Sequence, residues 1–159
     1  MLSLDAVSAG YDHRLVLRDV SLDVGAGEFL GVIGPNGCGK TTLLRTLSGT
    51  VPAKTGNVRV RGRDVRAIGR RQVARTIAFL LQDAVMELAF TVGELVLMGR
   101  SPHVSRFRGE TLRDREIAEQ AMRRVNVHHL ADRSVPELSG GQRQRAMIAM
   151  ALAQEPELL

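Results

Sequence analysis

Gly34-Pro35-Asn36-Gly37-Cys38-Gly39-Lys40-Thr41 decides how this chain folds. The stretch fits G-x-x-x-x-G-K-[ST], a loop whose backbone amides cradle nucleotide phosphates. Its flanks fit as well. Phe29-Leu30-Gly31-Val32-Ile33 is a short apolar run of buried-strand type. Thr42 to Leu47 opens a helix with Leu43, Leu44 and Leu47 on one face. The glycines allow a tight turn in which N–H groups point inward as an anion nest. The helix start adds a favourable dipole. In such a loop Lys40 reaches the β- and γ-phosphates and the Thr41 hydroxyl ligates Mg2+.

A second stretch, Leu138-Ser139-Gly140-Gly141-Gln142, stands just before a helix pattern running from Arg143 to Leu152. Ser139 is a natural N-cap, and two glycines leave the helix start open to an anion. A phosphate loop followed about a hundred residues later by L-S-G-G-Q resembles the ATP-binding cassette (ABC) ATPase family. That pentapeptide arises by chance in about one such chain in several thousand. The resemblance implies an α/β chain of P-loop NTPase fold, ABC type. It implies a parallel core sheet, flanking antiparallel strands and a helical subdomain.

The resemblance also implies ATP and Mg2+ as cofactors. ATP contacts fall on Gly34, Pro35, Asn36, Gly37, Cys38, Gly39, Lys40, Thr41 and Thr42, and on Ser139, Gly140, Gly141 and Gln142. Tyr11, the only tyrosine, lies where the family carries an aromatic that stacks on adenine. Read without the family, it is a half-buried strand tyrosine. Gln82 follows the apolar run Ile77 to Leu81 and resembles the Q-loop glutamine, which reaches Mg2+ and the attacking water and links the site to the membrane partner. Lys40 and Gln82 are thus the catalytic positions, and Thr41 and Gln82 the metal positions.

Residues 1–89 read as a nucleotide-binding core, 90–135 as the helical subdomain, and 136–159 as the signature and its helix. Strands are expected over Leu2 to Val7, Val16 to Leu22, near Asn57 to Val60, and up to Gln82. Thr91 to Arg100 reads as a helix capped by Thr91 and broken by Arg100-Ser101-Pro102-His103. Thr111 to Val127 reads as another, with Leu112, Ile117, Ala121, Met122 and Val125 near one face. The chain stops at Pro156-Glu157-Leu158-Leu159. There the family begins an apolar strand that carries an Asp for Mg2+ and a Glu that polarises water. The chain therefore reads as an N-terminal part of a cassette, its C-terminal part missing and its catalytic base absent.

With 159 residues the chain is long enough for one domain with a core. Its apolar stretches are too short to span a bilayer, and Met1 to Asp5 lacks the pattern of a signal peptide. A single cysteine, Cys38, permits no internal disulfide. The net charge is +5, with 20 Arg against 2 Lys, and seven arginines fall between Arg59 and Arg75. Two readings of that run compete. One is a nucleic-acid patch. The other is a solvated face turned towards phosphates or lipid headgroups, which the alternation of Val58 to Arg63 and the lack of interleaved aromatics favour. His128-His129 lacks acidic or Cys neighbours at ligand spacing and reads as a polar helix end rather than a metal site.

Functionally, the resemblance implies the ATP-hydrolysing subunit of an ABC transporter, cytoplasmic and peripheral on the inner membrane face. Its partners would be transmembrane permease subunits, a second ATPase subunit in a head-to-tail dimer and, indirectly, a substrate-binding protein. No nucleic acid is expected. Phe90 to Val96 with Met98-Gly99-Arg100-Ser101-Pro102-His103 resembles ATPases serving iron–siderophore, haem or cobalamin import. Two alternatives stay open: a soluble ABC ATPase acting on ribosomes or DNA, and a catalytically inactive nucleotide-binding module.

Overall fold

Alternation of apolar and polar residues from Leu2 onward builds a sheet with one dry face. The computed structural model describes residues 1–80, 90–105 and 109–159. Its chain divides into two units, Met1–Val73 and Ala74–Leu159.

In the first unit, β1 (Leu2–Tyr11) and β2 (Arg14–Val24) form an antiparallel hairpin. β3 (Ala53–Val60) pairs with the other edge of β1, and β4 (Arg63–Asp64) extends β3, giving the order β2-β1-β3-β4. Leu2, Leu4, Val58 and Val60 are buried together with Leu43 and Leu47 of α1 (Lys40–Leu47), which packs on β1, β2 and β3. The buried Thr46 hydroxyl is satisfied inside α1, donating to Thr42 O at 2.8 Å. Two short helices follow, α2 (Val65–Ile68), capped by Asp64, and α3 (Arg70–Thr76), within which the division falls.

Every pairing in this sheet is antiparallel. The strand expected at Phe29 to Ile33 does not form, and Phe29 and Ile33 are 97% and 95% exposed. A parallel strand needs hydrogen-bonding neighbours and cover on both faces. No described strand pairs with this run. The expected parallel core sheet is reduced, among the described residues, to one bridge between Ile77 and Leu158.

The second unit holds α4 (Val92–Met98), α5 (Leu112–Arg124) and α6 (Gly140–Ala153), with single 3-10 turns at His128–Leu130 and Val135–Glu137. Val92, Leu95 and Val96 of α4 meet Ala118 and Met122 of α5 and Ala146 and Ala149 of α6 in one core. The approach of α4 to α6 is close enough to require Gly99, where a Cβ would lie 2.1 Å from Met150 O. Leu112 departs from expectation. It is 81% exposed, because as the first residue of α5 it points away from the core that takes Ile117, Ala121 and Met122. The helix also ends earlier than Val127, at Arg124, followed by Asn126 with φ 56.

The division falls at Val73, earlier than the expected boundary after residue 89. Hydrogen bonds to the backbone explain the shift. Thr76 O accepts from the N–H groups of Glu157 and Leu158, Ala78 N donates to Leu158 O, and Gln154 Nε2 donates to Ile77 O at 2.8 Å. The end of α3 is thereby tied to the chain after α6. The signature helix shares the core of α4 and α5.

Arg100 does more than end a helix. It is 4% exposed and its Nε donates to Asp114 Oδ1 at 3.0 Å, while Nη1 donates to Ala153 O and to Glu155 Oε2, both at 2.8 Å. One guanidinium thus joins the end of α4, the start of α5 and the end of α6. Asp114 also accepts from the hydroxyl and backbone N–H of Thr111, at 2.7 and 3.0 Å. The Thr111 bonds first, and Arg100 after them, lower the Asp114 carboxyl from 3.8 to about 2.

Truncating Arg100 strands a buried carboxylate. Arg100→Ala should cost about 3–5 kcal/mol of stability in urea unfolding. Glu155→Gln, at the exposed end of the network, should cost less than about 1 kcal/mol. Because the folded pKa of Asp114 is depressed, its contribution is present above the ordinary pKa of 3.8 and is lost as pH falls towards about 2. Thermal melts across that window should show the loss, and Asp114→Asn should flatten it. Equal acid slopes in both proteins would contradict the role given to Asp114.

Candidate functional site

The phosphate-loop residues Gly34 to Lys40 lead directly into α1, and the loop is solvent-facing. Gly39 is the residue before the helix, at φ 103. A Cβ there would lie 3.1 Å from Val16 Cγ1 of β2, in a backbone region that side chains avoid. Glycine therefore lets the loop turn against the sheet. No side chain caps α1, and no acidic residue stands in its first turn. The helices of the second unit differ: α4, α5 and α6 each begin with a full capping box. The first amides of α1 are thus left for an outside acceptor.

Lys40 completes the nest. Its Nζ donates to Gly34 O at 2.7 Å and to Pro35 O at 2.9 Å, and lies 3.9 Å from Cys38 Sγ. The ammonium is held across the loop by weak neutral acceptors, which an anion outcompetes. Thr41 sits exposed in the first turn, and Thr42 is buried beneath it.

Tyr11 ends β1 beside this helix. Its Oη accepts from Arg45 Nη1 at 3.2 Å. That bond, with a second from Thr42, holds the phenol below its ordinary pKa. Tyr11 is 42% exposed, more open than a tyrosine serving the sheet core. The first unit therefore gathers Tyr11, the loop, Lys40, Thr41 and Thr42 around one helix end. The donor set is amides, an ammonium and a hydroxyl, with no carboxylate in the first helical turn. It fits the phosphates of ATP with Mg2+.

The signature residues belong to the second unit. Ser139 Oγ accepts from Gln142 N at 3.3 Å, and Gln142 Oε1 accepts from Ser139 N at 3.0 Å. Buried Leu138 anchors this turn while Ser139, Gly140 and Gly141 stay exposed. A Cβ on either glycine would meet nothing within 4 Å. Accepting one bond leaves the Ser139 hydroxyl proton free to donate outward. Gln82 lies outside the described residues. Sequence reading missed Arg45 as the tether of Tyr11. Its position one helical turn after Thr41 is the signal that could have found it.

These two helix starts, with their glycines, coincide with the region matched by the ABC transporter family, residues 17–159. The chain belongs to the ABC transporter family. It is 43% identical to the ferric enterobactin transport ATP-binding protein FepC of Escherichia coli (strain K12), over 98% of this chain and 57% of FepC. It is 43% identical to the hemin import ATP-binding protein HmuV of Gloeobacter violaceus, over 97% of this chain and 55% of HmuV. It is 44% identical to the cobalamin import ATP-binding protein BtuD of Halobacterium salinarum, over 91% of this chain and 36% of BtuD. A solved structure titled an inward-facing conformation of a putative metal-chelate type ABC transporter superposes with a TM-score of 0.82 at 35% identity, covering 97% of this chain and 56% of that one. The chain spans about half the length of FepC and HmuV, and less of BtuD.

The Ser139 cap is separable from any anion contact. Ser139→Ala should lower stability by about 1 kcal/mol, whereas Ser139→Asp, which caps equally well, should melt like the unmodified chain. Indistinguishable melts for the Ala variant and the unmodified chain would contradict the cap.

Proposed function

We propose that this chain is part of the ATP-binding and ATP-hydrolysing subunit of an ABC importer for ferric siderophores, haem or cobalamin. The observation that carries the reading is the uncapped, acid-free start of α1 behind Gly39 and Lys40. The relatives support the substrate class, since their names assign them to enterobactin, hemin and cobalamin import.

ATP supplies the phosphoryl group and Mg2+ neutralises its charge; positioning and charge stabilisation do most of the remaining work. Amides of the loop and of the first turn of α1 bind the phosphates. Lys40 leaves its carbonyl acceptors and moves its charge to the γ-phosphate end. Thr41 presents its hydroxyl to the metal. Tyr11 orients the base by stacking. Ser139 donates its free hydroxyl proton, with the Gly140 and Gly141 amides, to the nucleotide held by a second copy in head-to-tail arrangement. Gln82 senses the site and passes its state to the permease. Glu155 is held by Arg100 and does not serve as the base.

A hollow in the second unit supports docking of a permease. A groove of about 650 Å3 lies between α4 and α5, with Phe90, Leu97, Met98 and Met122 giving apolar walls and Glu94 and Arg115 at hand. It suits one face of an amphipathic helix from the membrane subunit.

Lys40→Ala should weaken MgATP binding at least tenfold, because a hydrogen bond to a charged group contributes about 1.5–3 kcal/mol. Tyr11→Ala should weaken it by about 1–3 kcal/mol, and ATP and GTP should suffer alike, because stacking tolerates base identity. Titration with a fluorescent nucleotide measures both. In the source cell, deleting the gene should abolish uptake of a ferric siderophore, haem or cobalamin. Undiminished uptake of all three, with intact nucleotide binding, would overturn the importer reading while leaving the nucleotide site standing.

A further inference from the structure

The sequence from Arg59 to Arg71 carries six arginines and one acid, Asp64, a net +5 equal to that of the whole chain, so the remaining residues sum to zero. All six arginines are exposed. We propose that this segment is a contact surface for the phosphate headgroups of an anionic lipid bilayer.

The fold concentrates the charge at one edge. Arg59 lies on the solvent side of β3, between buried Val58 and Val60. Arg61 sits in the turn at φ 52, and Arg63 is on β4, the edge strand of the sheet. Arg66 and Arg70 follow on α2 and α3 and line a hollow of about 180 Å3 that also includes Val51, Val58 and Val65 but no acidic residue. Asp64 cannot neutralise the group. Its carboxylate is taken by Arg66, at 2.6 Å, and held near pKa 2 by that pairing. Arg63 and Arg70 have no side-chain partner among the described residues.

Arginine in this number suits phosphate. Its planar fork bonds two phosphate oxygens at once and keeps its charge at any physiological pH. No aromatic residue lies between Arg59 and Arg71, so the segment lacks the stacking platform of a single-strand nucleic-acid site. It also lacks an exposed large apolar side chain, so binding stays at headgroup depth and depends on salt. A charged edge strand can also serve only to prevent edge-to-edge pairing. The lipid reading differs from that in requiring measurable affinity, and it is independent of nucleotide binding.

The test is co-sedimentation of the chain with phosphatidylcholine vesicles, with or without phosphatidylglycerol. The chain should pellet with the anionic vesicles at about 50 mM salt and be released at about 500 mM. Each arginine near the surface strengthens partitioning about fivefold. Replacing Arg59, Arg63 and Arg70 together by Gln should therefore weaken binding about a hundredfold. Replacing Arg113, Arg123 and Arg124 of α5 by Gln removes the same charge and should change it far less. Circular dichroism melts of each variant report folding. Three results would overturn the proposal: no preference of the unmodified chain for anionic vesicles, equal losses in the two folded triple variants, or displacement from vesicles by stoichiometric single-stranded RNA.

Discussion

The unsatisfied backbone amides at the start of α1 are the constraint around which the first unit is organised. An exposed helix start can always turn to water, so leaving it uncapped is cheap, but it forgoes the stability of about 1 kcal/mol that a cap supplies. Three other helices of this chain take that stability through Thr91, Thr111 and Ser139. α1 does not, and its position is instead fixed by burying Leu43 and Leu47 against the sheet. Packing holds the helix; the amides stay available. The glycine at φ 103 and the lysine folded over the loop follow from the same requirement.

The second unit solves a different problem. Its helices approach closely at small residues, Gly99 against Met150 and alanines along α6, while Val92, Leu95, Val96, Val127 and Val135 fill the core and are fully buried. Arg100 adds a polar joint at its base, where three helix ends meet, and every buried side-chain polar atom among the described residues has a partner. The joint lies at the C-terminal end of α6, while the exposed Ser139 lies at the other end. One helix thus carries the signature turn at its start and the arginine joint at its end.

Much of this was legible in the sequence because it is local. The phosphate loop, the caps at Thr91 and Ser139, and the alternation that marks β1 each depend on residues a few positions apart. Phe29 to Ile33 was not legible, because an apolar run becomes a strand only when neighbours pair with it, and here none of the described strands does. Leu112 satisfied a helical period yet falls in the first turn, where the face of α5 has not reached the core. Arg100 looked like a helix breaker because its partners lie 14 to 55 residues away. The Tyr11–Arg45 contact, 34 residues apart, was hidden for the same reason. The relatives, at 43–44% identity, name a transporter class that the site chemistry alone does not contain.

Amide hydrogen exchange tests directly whether the amides entering α1 are open to a polyphosphate. With MgATP, the N–H groups of Gly37 to Thr42 should exchange more slowly than in the free chain, while AMP should leave them unchanged. Unaltered exchange with MgATP, or equal protection by AMP, would contradict the account.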